Sequence, residues 1–294
     1  MASLATNSRG NTTATVDKSN NNSNDNDDDK TGKVDNNDSN VFTDSGWFPM
    51  EDATRVPSSD ELAALKQTVG STGNLDVPDN WAPIKDPSVV QRHVLQAGGT
   101  EYNAVESSFL TTLKSRNVKV TKIERVQNQA MWQSYVVKRQ TLCYRETGGV
   151  QNTDEAAQKR ALARFERCWL WHGTNAEVME KILQQGFNRS FCGKNATMYG
   201  KGVYFARDAS YSASTTYAAP DKNNGNQQYI YACRVVVGEY CNGRRDALTP
   251  DIRDVKTQSL YDSTVDRVSN PSIFVTYHDA QVYPEVRNIY LYSK

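Results

Sequence analysis

The sequence predicts an α+β fold with antiparallel sheet at its centre, preceded by a disordered tail. Two observations carry the fold class. Runs rich in β-branched and aromatic residues crowd the C-terminal half, and few helical patterns intervene between them. A third observation sets the tail apart. Residues 1–40 hold ten Asn and seven Asp but no aromatic residue; the first is Phe42. Four Lys or Arg against those seven Asp give this stretch a charge of −3, which leaves +3 for residues 41–294 because the 294-residue chain is formally neutral. Such a stretch buries too little apolar surface to offset its ordering entropy. The mean hydropathy of −0.70 reflects it. About 210–250 residues are left for folding, enough for one sizeable domain. The expected organisation is an Asn/Asp-rich tail over 1–45, a linker with a short helix over 46–80, and a folded domain over 81–294.

The linker helix is read from Ser59-Asp60-Glu61-Leu62-Ala63-Ala64-Leu65, with Ser58 or Ser59 as N-cap. Val105, Phe109 and Leu113 stand four apart and predict an amphipathic helix over 104–116. Residues 118–126 alternate partially and are β-branched, which predicts a strand. Helices are expected over 129–142, around Trp132, Tyr135, Val136 and Arg139, and over 154–167, opened by Thr153-Asp154-Glu155. Residues 168–171 read as a buried strand followed by His172-Gly173-Thr174. Val178, Ile182 and Leu183 place a helix over 175–185 that stops at Gly186. Residues 187–202 carry three glycines and few aliphatics and read as an ordered loop. Strands are expected over 203–206, 229–237, 272–277 and 288–292, with a short helix over 210–217.

Composition excludes several classes. No stretch approaches the ~20 apolar residues of a membrane span, and the N-terminus has no apolar signal core. Charge balance argues against a strongly basic nucleic-acid binder. Five cysteines (143, 168, 192, 233 and 241) with no C-x-x-C pair give no disulfide framework or zinc pattern, and fit reduced thiols in the cytoplasm or nucleus. Three dispersed histidines (93, 172 and 278) do not make a metal cluster, so no metal is expected.

Four pieces line up in order: W-H-G-T at 171–174, Y-G-K-G-V-Y-F-A at 199–206, A-S-Y-S-A at 209–213 and S-I-F-V at 272–275. With G-F-N-R-S-F-C-G-K-N-A-T between the first two, the set resembles the catalytic domain of the poly(ADP-ribose) polymerase family, and more closely its branch that transfers a single ADP-ribose. The resemblance runs from about Val118 to Tyr290. It implies the ADP-ribosyltransferase fold, a mainly antiparallel split β-sheet with flanking helices, and NAD as the substrate.

The resemblance also implies a role for each site residue. His172 bonds a ribose hydroxyl of NAD, and Gly173 and Thr174 lie against the nicotinamide end. Tyr204 packs on the nicotinamide ring, with Phe205 and Ala206 continuing its strand. Ser212 bonds the carboxamide, and Tyr217 stacks on the other ring face. Tyr211 is the alternative for that stacking place and otherwise lines the pocket wall. Residues 187–202 correspond to the loop over the adenosine end, with Arg189 its foremost contact and Lys194 and Lys201 as weaker candidates.

The departure is at position 273. Chain-elongating members carry glutamate there; this sequence carries Ile273, which neither accepts a hydrogen bond nor takes a proton. The triad reads His172–Tyr204–Ile273, so single-unit transfer is expected rather than polymer. The acceptor is then a protein side chain, on another protein or on this chain itself; an acidic one is already ionised at neutral pH. Glu285 and Asp279 are the alternatives to replace the lost carboxylate. A catalytically inactive NAD-binding interaction protein and a bare NAD glycohydrolase are the competing readings. Phosphorylated RNA ends are a further acceptor class that nothing in the sequence selects. No DNA-break activation is expected, because residues 41–117 are too short and too poor in helical pattern for a regulatory helical subdomain.

Overall fold

The computed structural model describes residues 77–115, 117–148, 154–191 and 197–292. The expected tail over 1–45 and the helix over 59–65 lie outside the described residues, as do Cys192 and Lys194. In chain order the strands are β1 (Gln91–Val94), β2 (Val118–Gln127), β3 (Glu166–Thr174), β4 (Val203–Ala206), β5 (Gln228–Val236), β6 (Tyr240–Asn242), β7 (Ile252–Asp254), β8 (Ser259–Leu260), β9 (Ser263–Val265), β10 (Ile273–Thr276) and β11 (Val282–Tyr292). The helices are α1 (Thr100–Leu113), α2 (Gln129–Thr147), α3 (Glu155–Phe165), α4 (Ala176–Gln185) and the single turn α5 (Ala209–Ser212).

Nine strands form one sheet in the order β1-β2-β11-β5-β3-β4-β10-β9-β6. Every pairing in it is antiparallel except β6 with β9. The β3–β5 pairing runs from Glu166↔Val236 to Thr174↔Tyr229. The β3–β4 pairing is registered at Trp171↔Ala206 alone. The sheet is therefore two halves joined at one position, and β3 continues through His172, Gly173 and Thr174 beyond that join. This is the split sheet that the resemblance implies.

Each face of the large half is covered by a helix whose apolar positions the sequence places in register. On α1, Val105, Phe109 and Leu113 fall on one side and pack over Ile123, Trp171, Ile230, Val286 and Tyr290. Phe109 sits 5.5 Å from the Trp171 ring and 5.0 Å from the Tyr290 ring. Fully burying such a side chain contributes about 1.5–3 kcal/mol. On the opposite face, α4 sets Met179, Ile182 and Leu183 against Leu170, Tyr231, Cys233 and Val235. At one end, α2 and α3 enclose Trp132, Tyr135, Phe165 and Tyr283.

The caps explain where helices begin. Asn128 accepts from the Met131 amide, Asp154 from the Ala156 and Ala157 amides, and Asn175 from the Val178 amide. α4 ends at Gly186, as expected. Two expectations are corrected. His172-Gly173-Thr174 does not follow a strand but lies inside β3, which starts directly where α3 stops. The helix expected over 210–217 closes after Ser212. There Ser214 takes over: its carbonyl accepts from the Tyr217 and Ala218 amides, and its hydroxyl accepts from Thr216. Local serine hydrogen bonding competes with helix propagation. Among the described residues no helix is long and apolar enough to cross a membrane.

Candidate active site

The site lies where β3 and β4 part. Antiparallel register from Trp171↔Ala206 sets Gly173 opposite Tyr204, but the strands no longer pair there. The gap is bridged by a side chain instead: His172 Nδ1 stands 2.8 Å from the Tyr204 carbonyl oxygen. A carbonyl only accepts, so Nδ1 carries the proton and Nε2 presents a lone pair. The ring is held by Phe187, edge-on at 5.0 Å, and by Phe205 at 5.4 Å. Burial pushes the His172 pKa below its ordinary value, against the opposing pull of the carbonyl. The imidazole is thus neutral at pH 7, with one tautomer fixed.

Gly173 is required by close approach. A Cβ there would lie 1.8 Å from the Ser212 carbonyl oxygen and 3.3 Å from the Ala218 Cβ. The end of α5 therefore rests directly on the β3 backbone. Ser212 is buried and donates its hydroxyl proton to the Trp171 carbonyl at 2.8 Å, which leaves lone pairs to receive a donor. Thr174, also buried, ends the strand.

Tyr211 and Tyr217, the two candidates for one wall, lie against each other. Their rings stack at 5.0 Å with 27° between planes, and their hydroxyls are 2.8 Å apart. Burial raises the Tyr211 pKa most; its hydrogen bond to Tyr217 and the nearby phenols of Tyr199 and Tyr204 add to the effect. Tyr199 and Tyr204 thus lie close enough to Tyr211 for their phenols to influence it.

Tyr204 and Ala206 share a face of β4 with Ile273 and Val275 of β10. Phe205, expected at the same pocket, points the other way. It is 1% exposed, belongs to the core under α4, and serves as a support for the His172 ring. The alternation of a strand makes this unavoidable, since Tyr204 and Phe205 cannot share a face. Ile273 is buried at 5% exposure opposite Ala206. Its backbone is fixed by Asp266, whose carboxylate accepts from the Ser272 and Ile273 amides and from the Ser272 hydroxyl. Arg189 is exposed and donates to the Tyr277 carbonyl at 3.3 Å.

The two alternative carboxylates stand in different places relative to Ile273. Glu285 lies on β11, with β5, β3 and β4 between it and β10. It accepts from Trp169 Nε1 at 2.6 Å and Arg234 Nε at 2.8 Å, so it is committed elsewhere. Asp279 opens the short turn after β10 and is exposed. Sequence reasoning missed Phe187, whose position straight after a helix-ending glycine carries no functional signal. It also missed the hydroxyls of Thr264 and Tyr277 behind Tyr204, which lie more than fifty residues further along the chain.

The profile of the poly(ADP-ribose) polymerase catalytic domain matches residues 99–286. The chain belongs to that family. Among its relatives is human protein mono-ADP-ribosyltransferase PARP14, 36% identical over 212 residues, which cover 72% of this chain and 11% of that protein. Human protein mono-ADP-ribosyltransferase PARP12 is 36% identical over 215 residues, 72% of this chain and 28% of that protein. Mouse protein mono-ADP-ribosyltransferase PARP11 is 30% identical over 228 residues, 72% of this chain and 63% of that protein. The chain thus spans less than a third of the length of the first two. His172, Tyr204 and Ile273, the triad that the resemblance implies, stand on β3, β4 and β10.

Proposed function

We propose that this chain transfers a single ADP-ribose from NAD to an acceptor side chain and releases nicotinamide. Ile273 carries the reading: an aliphatic side chain is buried beside Tyr204 and Ala206, where chain-elongating members keep a glutamate. The relatives named as protein mono-ADP-ribosyltransferases support it.

In this reading the bond between ribose C1′ and the nicotinamide nitrogen breaks. Its electron pair leaves with nicotinamide, and an acceptor oxygen forms the new bond to C1′. The leaving group is neutral, so no strong acid is needed to expel it. The protein's task is to hold the sugar and the ring. His172 Nε2 accepts from a ribose hydroxyl. Gly173 keeps the β3 backbone open to the carboxamide, and Ser212 offers its oxygen to the carboxamide NH₂. Tyr204 and the Tyr211–Tyr217 stack supply aromatic faces that favour the pyridinium cation. Arg189 faces the other end of NAD.

With no carboxylate at 273 to activate a hydroxyl, the acceptor brings its own charge, and an aspartate or glutamate of a protein fits. The four described cysteines are unpaired, which supports a reducing compartment, the cytoplasm or nucleus. Intact-mass measurement of the full chain with a candidate acceptor and NAD tests the reading. The expected product carries one ADP-ribose, is cleaved by hydroxylamine, and disappears with His172→Ala. Free ADP-ribose without protein-bound label would indicate a glycohydrolase. Long ladders of units would refute the single-unit reading, and NAD binding without turnover would mark an inactive relative.

A further inference from the structure

A chain of hydroxyls runs behind Tyr204. The Tyr204 hydroxyl accepts from the Tyr199 amide at 2.9 Å and donates to the Gly200 carbonyl at 2.9 Å. The ring is therefore oriented by the backbone of residues 199–200. That backbone is itself held from the other side. Thr264 of β9 donates to the Tyr199 carbonyl at 2.7 Å, and the Tyr277 hydroxyl stands 3.1 Å from the Thr264 hydroxyl. A hydroxyl has one proton. Thr264 spends its proton on Tyr199, so Tyr277 is the donor between the two, with a second, longer approach of 3.4 Å to the Tyr199 carbonyl.

Gly200 fits this arrangement and nothing else does. Its φ is +122°, and a Cβ would fall 1.9 Å from the Tyr277 hydroxyl. Tyr277 is 3% exposed and packs with Ile273, Val275, Tyr199 and Tyr204. Its own amide is fixed by the Gln281 side chain at 3.1 Å, and its carbonyl accepts from Arg189. One residue therefore ties both flanks of the 189–200 segment to the strand that carries Ile273.

We infer that Tyr277 is a positioning residue for the donor site: through Thr264 it fixes the 199–200 backbone, and through that backbone it sets the pose of the Tyr204 ring. Its importance for NAD rests on the proposed transfer activity; the clamp itself does not. Hydrogen bonds in series polarise one another, so removing a terminal donor weakens the remaining links.

The test is steady-state kinetics together with amide hydrogen exchange on the full chain. Tyr277→Phe keeps the ring and removes the donor. It is expected to raise KM for NAD roughly three- to tenfold, as loss of one hydrogen bond does, with kcat little changed and faster exchange at the Tyr199 amide. Thr264→Val, which removes the middle link, should give the larger effect, and Thr264→Ser should behave as wild type. A fall in melting temperature with KM and Tyr199 exchange unchanged would mean a merely structural role and would overturn the proposal. A wild-type chain that does not turn over NAD would sink the transfer reading. The exchange comparison would then decide the clamp alone: faster exchange in Tyr277→Phe upholds it, and unchanged exchange overturns it.

Discussion

At the scale of one residue, His172 shows how a strand position chooses a tautomer. The strands stop pairing after Trp171↔Ala206, and the imidazole spans the gap with a proton on Nδ1. Protonating Nε2 would put a cation among Phe187 and Phe205, and burial resists that. The folded pKa therefore lies below the ordinary 6.5. As pH falls through 6.5 the unfolded chain takes up a proton that the folded chain refuses. This group's contribution to stability is thus complete above about pH 6.5 and is lost as pH falls toward the folded value. Catalysis follows the same sign. The neutral ring is the form that accepts from ribose, so the acid limb of kcat/KM for NAD is expected below pH 6.5. A pH–rate profile measures it, and an acid limb at or above 6.5 would contradict the lowering of this pKa by burial. The sequence makes this residue legible through W-H-G-T, but not its orientation. That depends on Phe187 and on a carbonyl 32 residues away, which no local pattern announces.

At the scale of elements, legibility follows periodicity and caps. α1, α3 and α4 are readable because Val105/Phe109/Leu113, Asp154 and Asn175/Gly186 are local signals, and the structure keeps each. β1, β6, β7, β8 and β9 are not. They run two to four residues, too short to show alternation, and exist because neighbouring strands offer them a paired edge. The helical pattern of α4 also says nothing of its anchor. Beneath it, Arg287 of β11 is 6% exposed and donates through Nε to Glu124 of β2 at 2.6 Å and through its guanidinium to Glu180 of α4. Arg92 of β1 reaches the same Glu180 at 2.9 Å. Glu124 is 3% exposed, and its pKa is held below the ordinary value: the hydrogen bonds and charges of Lys122 and Arg287 outweigh its desolvation. Removing Arg287 leaves that buried carboxylate with the half-exposed Lys122, at 2.6 Å, as its remaining cation. Arg287→Ala is expected to cost up to about 3–5 kcal/mol in urea denaturation, and a paired Glu124→Gln change should recover part of it, because the cost is an under-compensated buried charge rather than lost attraction. Equal losses with and without Glu124→Gln would refute that account.

At the scale of the whole molecule, the site is a seam. One half-sheet ends with β3 and the other begins with β4, and they share a single registered pair. Everything proposed to hold NAD lies on one lip or the other. Beside that pair the lips are joined by the His172–Tyr204 link, the Phe187–Phe205 contact at 5.2 Å and α5, whose Ser212 is bonded to the β3 backbone, while the core under α4 runs across both halves. Gly173 is the point where α5 touches that backbone, with no room for a Cβ beside the Ser212 carbonyl. Gly173→Ala must therefore lift α5 from β3. Overpacking of this kind costs about 1–3 kcal/mol, but most of the consequence is geometric, since the Tyr211–Tyr217 wall and Ser212 move with α5 while His172 stays on β3. Binding of NAD, followed by calorimetry, is expected to weaken by roughly tenfold or more, because several contacts lose their common frame at once. Denaturation should shift by the same overpacking cost, because Ala209 of α5 and Ala213 at its end are buried in the cluster that α1 forms over Trp171. A variant destabilised as predicted yet binding NAD with wild-type affinity would show that the two lips hold their spacing without α5, and would break the link between the split of the sheet and the site.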